Sequence, residues 1–125
     1  MSESLSILVL DDEPIVGKRL KTALEKNGHE VEVFEDSRLA LRRLDERDFD
    51  VIVTDVRMEE VDGIQVLEHV LERSARTKVI VITGYATVEV AREALAKGAF
   101  DFIAKPFKPD DLRQVIARAA VALKA

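Results

Sequence analysis

At 125 residues, 47% apolar and 34% charged, the chain can build one core and is too apolar for a disordered segment. A net charge of −5 disfavours direct nucleic-acid binding, which needs a basic face, and the lack of cysteine excludes disulfides and thiolate metal sites. No basic-then-apolar leader opens the sequence and no apolar run nears membrane-spanning length, so the expectation is one cytoplasmic domain over residues 1–125, without a membrane segment.

Ser6–Leu10 is an apolar run of strand length that leads directly into Asp11, Asp12, Glu13 and Pro14. Proline fits the first turn of a helix and acids suit its positive end, so a helix is predicted from Pro14 to Asn27. Val16, Leu20, Ala23 and Leu24 share one face of it, and Gly28 supplies a left-handed stop. Glu30–Phe34 alternates polar and apolar residues, which marks a half-exposed strand at a sheet edge. Asp36 and Ser37 can cap a second helix that turns Ala40, Leu41 and Leu44 inward and ends near Arg47. The mixed charges from Arg38 to Asp48 read as that helix's solvated face.

Val51 to Thr54 are four β-formers in a row, the pattern of a strand buried on both faces, and the strand ends on Asp55. A carboxylate there is costly if buried and unpaired. It does not cap a helix, because the next helical pattern starts only near Asp62 and Gly63. Asp55 therefore stands at the mouth of a seven-residue loop and is expected to face solvent. Ile64, Leu67, Val70 and Leu71 mark the third helix, and Lys78–Thr83 is a fourth, buried strand. After Gly84, Tyr85 and Ala86, Thr87 can cap a helix to Lys97 that Gly98 closes. Asp101–Ala104 is a short fifth strand, Lys105, Pro106 and Phe107 follow, and Pro109 opens the last helix. His29, beside a helix-ending glycine, and His69, on a polar helix face, are both expected to be solvated.

Five strands alternating with five helices imply an α/β fold with a mostly parallel sheet covered on both faces. Right-handed crossovers place every strand's carboxyl end on one edge, where ligands bind. The flavodoxin-like, doubly wound order 2-1-3-4-5 fits, because it leaves the alternating second strand on the outside.

That edge collects Asp11 and Asp12 after the first strand, Asp55 on the third, Thr83 on the fourth and Lys105 after the fifth. Neighbouring strands lie about 4.8 Å apart, so the acids converge. Two carboxylates roughly 5 Å apart repel by about 3 kcal/mol at an effective dielectric of 20, which a cation or protonation would relieve. An open cluster of oxygen ligands suits Mg²⁺ or Mn²⁺. Thr83 offers a hydroxyl donor and Lys105 a compact positive charge, both suited to a phosphoryl group. Formation of an aspartyl phosphate needs this set and no separate general base.

The run Asp11, Asp12, Glu13, the strands ending in Asp55 and Thr83, and the pair Lys105-Pro106 together resemble the receiver domain of two-component response regulators. The stretches Ile82–Thr87 and Gly98–Phe107 look most like receivers of the NtrC type, which act with σ54-dependent transcription. The resemblance implies that Asp55 accepts a phosphoryl group from a sensor histidine kinase or a small donor such as acetyl phosphate. Asp11, Asp12, Asp55 and the backbone carbonyl of Arg57 would hold Mg²⁺, and Lys105 would bind a phosphoryl oxygen. The Lys105-Pro106 peptide is expected to be cis. Thr83 and Phe102 match the family's switch pair, which biases a surface of the fourth helix, fifth strand and fifth helix. The implied role is a phosphoacceptor rather than an enzyme, with at most intrinsic autophosphorylation and autodephosphorylation. The implied partners are the kinase, a second copy through that surface, and ATPase and DNA-binding domains if the chain belongs to a larger regulator.

The chain departs from the family after Met58, where Glu59 stands in place of the usual proline and Glu60 follows. The added negative charge is expected to slow loading from small anionic donors. Arg57 and Tyr85 flank the expected phosphate and could gate attack by water. A haloacid-dehalogenase-like phosphatase also uses Asp and Mg²⁺, but its nucleophile lies in an Asp-x-Asp spacing after the first strand, whereas Asp11 and Asp12 are adjacent. A module that has lost phosphorylation would not need all five site residues. FMN binding is disfavoured by an acidic first loop that would repel the cofactor phosphate.

Overall fold

The computed structural model describes residues 4–56, 62–84 and 88–124. The expectations for Arg57, Glu59, Tyr85 and the Thr87 cap lie outside the described residues. The elements run β1 (Ser6–Leu10), α1 (Pro14–Lys26), β2 (Glu30–Phe34), α2 (Ser37–Glu46), β3 (Val51–Asp55), α3 (Gly63–Arg73), β4 (Lys78–Thr83), α4 (Val88–Ala96), β5 (Asp101–Ala104) and α5 (Pro109–Lys124). Local chemistry sets these boundaries. Asp36 Oδ1 accepts from Arg38 N at 2.8 Å to cap α2. Asp62 and Gln65 satisfy each other's backbone in a capping box on α3. Gly28, at φ 88°, and Gly98, at φ 106°, turn the chain out of α1 and α4 in the left-handed region that side chains avoid.

The sheet is parallel throughout, in the order β2-β1-β3-β4-β5. Alternation along each strand sends side chains to opposite faces. Ile7, Val9, Val51, Val53, Ile80 and Ile82 meet Leu20 and Leu24 of α1 and Leu112, Val115 and Ile116 of α5. Leu8, Leu10, Ile52, Val79 and Val81 meet Ala40 and Leu44 of α2, Ile64 and Leu67 of α3 and Ala94 of α4 on the other face. Among the described residues no helix is long and apolar enough to cross a membrane.

Two expectations change in the folded chain. The charged run on α2 is not simply solvated. Arg43 bonds Glu32 of β2 through Nε at 2.8 Å and Nη2 at 2.9 Å, and Arg47 Nη1 bonds Glu30 Oε1 at 2.8 Å. The Arg47 guanidinium also stacks 4.5 Å from the centroid of the buried Phe49 ring. These arginines cover an edge strand whose outward glutamates need counter-charges. His29 is partly buried, and its Nδ1 accepts from Leu5 N at 3.1 Å, so burial lowers its pKa below the ordinary histidine value. His69 stays at the surface as expected, where its Nε2 lies 2.9 Å from Asp45 Oδ1.

Candidate functional site

The parallel register brings the acids together. Leu10 pairs with Thr54, so the next residues, Asp11 and Asp55, emerge side by side. Asp55 pairs with Ile82 of β4, and Thr83, one step on, pairs with Ala104 just before Lys105. The Lys105 amide donates to Thr83 O at 2.8 Å, and the Lys105-Pro106 peptide is cis as expected. α3 packs unusually close under this edge. A Cβ on Gly63 would lie 2.3 Å from the Asp55 carbonyl oxygen and 2.8 Å from Val56 Cα, and Gly63 N donates to Val56 O at 3.0 Å.

Asp55 does not face solvent. It is only 5% exposed and Asp11 is fully buried, while Asp12 and Glu13 are exposed. The loop after β3 was expected to leave the carboxylate in water, but it is buried against Lys105. Lys105 Nζ lies 2.8 Å from Asp55 Oδ2, 3.0 Å from Asp11 Oδ2 and 3.2 Å from Glu13 Oε1. The Asp55 and Glu13 contacts are directed hydrogen bonds. Asp11 Oδ2 sits at ion-pair distance but off the hydrogen-bond axis, and no hydrogen bond satisfies it. Its other oxygen, Oδ1, accepts from Glu13 N at 2.9 Å. Burial pushes the Asp11 pKa above the ordinary carboxylate value, against the Glu13 amide and the Lys105 charge. Burial also opposes the charge on Lys105, but the carboxylates of Asp55 and Asp11 outweigh it and raise its pKa.

One oxygen each from Asp11, Asp12, Glu13 and Asp55 come within 4.8 Å of one another. Four carboxylates around one ammonium leave excess negative charge, and the buried Asp11 Oδ2 lacks a directed partner. An all-oxygen, anionic set of this kind fits a hard divalent cation such as Mg²⁺. Thr83 is buried at the end of β4. Phe102 pairs with Val81 and Ala104 with Thr83, so Phe102 and Thr83 share one face of the sheet. Phe102 is partly buried there, packed against the core that includes Val81 and Ala94.

Glu13 is the residue that reading the sequence missed. It was legible as the third acid of a run, but its place before Pro14 read as complementing a helix end. In the fold it precedes α1 without a side-chain cap and reaches Lys105, 92 residues away.

The family model of the response regulator receiver domain matches residues 7–117. The chain belongs to the response regulator receiver family. The regulatory protein AtoC of Escherichia coli strain K12 is 42% identical over 113 residues, which cover 90% of this chain and 24% of that protein. This receiver domain thus spans about a quarter of the length of such relatives. A receiver domain from Clostridium thermocellum superposes with a TM-score of 0.90 at 32% identity, covering 95% of this chain and 96% of the other. NtrX from Brucella abortus, solved with ADP, superposes with a TM-score of 0.91 at 31% identity, covering 98% of this chain and 28% of that one. The receiver fold and the NtrC-type likeness therefore both hold.

Proposed function

We propose that Asp55 is the phosphoacceptor of this receiver domain, and that residues 1–125 form one such domain serving a transcription regulator. The observation that carries the reading is the Asp55 carboxylate held 2.8 Å from Lys105 Nζ, beside Asp11. A carboxylate oxygen of Asp55 attacks the phosphorus of a sensor-kinase phosphohistidine or a small acyl phosphate. The bond from phosphorus to the leaving nitrogen or oxygen breaks, and its electron pair departs with the donor. The nucleophile is already anionic, so no general base is required. Asp11, Asp12 and Asp55, with the Arg57 backbone carbonyl, would hold Mg²⁺ or Mn²⁺, which supplies neutralisation of the acids and phosphoryl oxygens. Lys105 would pair with one phosphoryl oxygen and the Thr83 hydroxyl would donate to another. The chain is a phosphoacceptor whose own activity extends at most to autophosphorylation and autodephosphorylation.

An apolar groove of about 570 Å³ opens beside Lys105, lined by Val16, Arg19 and Leu20 of α1 with Phe107 and Pro109. Thr83 and Phe102, on one sheet face, are the proposed switch that alters the α4-β5-α5 surface. The beryllofluoride-activated NtrC4 receiver, a dimer, superposes with a TM-score of 0.83 at 34% identity, which supports a homodimer, and that surface is the proposed contact. The relatives named as transcriptional regulators support transcription control as the output, and the proposal extends to linked ATPase and DNA-binding domains and a cytoplasmic location. Mass spectrometry after incubation with acetyl phosphate and Mg²⁺ tests the acceptor. Wild type should gain one labile phosphoryl group, removed by base or by hydroxylamine, and Asp55→Asn none; equal labelling of the two would overturn the assignment.

A further inference from the structure

Lys105 is already engaged before any phosphate arrives. Its two directed hydrogen bonds go to Asp55 and Glu13, and Asp11 adds an ion pair. An ammonium has three N–H donors and three carboxylate oxygens already lie within 3.2 Å of this one, so a phosphoryl oxygen competes with them for the charge and for space around it. Asp55 is buried at the end of β3, and Asp11 is buried and anchored by the Glu13 amide. The Glu13 side chain is 60% exposed, and Lys105 is its one hydrogen-bond partner among the described contacts. Its carboxylate can swing into water and be resolvated at little cost, which neither aspartate can do. Its carboxylate is also the most exposed of the three around the ammonium.

We infer that Glu13 is a specificity-determining residue: it occupies the acceptor position on Lys105 that a phosphoryl oxygen takes over, and its charge selects against small, highly anionic phosphodonors. The inference rests on Asp55 being the acceptor. A protein-bound phosphohistidine brings its own docking contacts and would displace Glu13 with their help. A free donor has only its phosphate to do so.

The test compares wild type, Glu13→Gln and Asp55→Asn with acetyl phosphate and with phosphoramidate, under saturating Mg²⁺. In each transfer an Asp55 oxygen bonds to phosphorus. The bond to acetate oxygen or to nitrogen breaks, releasing acetate or ammonia with the electron pair and leaving the same aspartyl phosphate. Phosphoramidate, with its protonated nitrogen, carries one negative charge fewer than acetyl phosphate. Removing one charge roughly 6 Å from the donor in a water-like dielectric should speed acetyl phosphate about tenfold and phosphoramidate about threefold. Both gains should shrink as salt rises, because an exposed charge is screened.

Unchanged rates in Glu13→Gln, with labelling still dependent on Asp55, would overturn the inference and leave the acceptor standing. So would equal, salt-independent acceleration by both donors, which would mark a structural effect. Calorimetry with Mg²⁺ closes the remaining route: loss of one nearby charge alone should weaken a divalent ion about tenfold, so a loss of about a hundredfold or more in Glu13→Gln would make Glu13 a metal ligand and overturn its role as a placeholder. Failure of wild type to label at all would overturn the acceptor reading, and the inference with it.

Discussion

Gly63→Ala should be the most damaging methyl addition on a helix of this protein, and Gly17→Ala is its internal control. Both glycines are buried on helices, and in both a new Cβ meets a neighbour too closely: 2.3 Å at Gly63 and 2.6 Å at Gly17. The difference lies in what is struck. At Gly17 the nearest atom is Cγ1 of the partly buried Val33, which can rotate at a cost of about 1 kcal/mol. Alanine is favoured over glycine in a helix by a similar amount, about 1 kcal/mol, so Gly17→Ala should be nearly neutral. At Gly63 the atoms struck are the carbonyl oxygen of Asp55 and the Cα of Val56, both backbone. Restoring ordinary contact means opening the gap from 2.3 to 3.4 Å, about 1 Å, at the strand end that carries the proposed nucleophile. Overpacking of this kind costs about 1–3 kcal/mol, and a shift of about 1 Å at a reacting group can slow chemistry about a hundredfold. Urea unfolding of both variants reads the first effect, and the rate of Asp55 labelling reads the second. The reasoning fails if Gly63→Ala lies within about 0.5 kcal/mol of wild type, or if Gly17→Ala loses as much.

Glu32 and Mg²⁺ give two further tests. The Arg43 bonds hold Glu32 below the ordinary carboxylate pKa, and a group whose pKa falls on folding stabilises the fold above its unfolded pKa. Wild type should therefore exceed Glu32→Gln by about 0.5–1 kcal/mol at neutral pH, since the pair is partly exposed. In urea titrations the difference should shrink as pH falls below the unfolded value of 4.5 and through the lower folded pKa; a pH-independent gap refutes the pairing. Mg²⁺ at a hundredfold excess over its dissociation constant should stabilise wild type by about 2.7 kcal/mol, seen as a rise in melting temperature. Asp11→Asn should lose most of that rise; an undiminished rise would place the ion elsewhere.

Much of the fold was legible because its signals are local. Pro14, Gly28, the Asp36 cap, the Asp62 start and Gly98 each act within a turn, and each boundary fell within about a residue of the expected place. The alternation of Glu30–Phe34 placed β2 at the edge, because a strand with one wet face cannot sit in the middle of a covered sheet. The gathering of the candidate residues was legible for the same reason: parallel strands must end at a common edge, so acids, hydroxyl and lysine at strand ends meet there.

Environment was a different matter. Periodicity could name Asp55, His29 and the arginines of α2, but not what faces them. The partner of the buried Asp55 is Lys105, 50 residues on, and Glu13 is engaged by the same ammonium 92 residues away. His29 accepts from Leu5 across the start of the sheet, and Arg43 leaves its helix face to reach Glu32. The sequence alone determined the order of elements and the edge where chemistry gathers, because turns, caps and hydrophobic period act over a few neighbouring residues. Only the tertiary structure decided which charges are dry, which are shared and which can be released, because desolvation and ion pairing depend on groups that the fold alone brings within 3 or 4 Å.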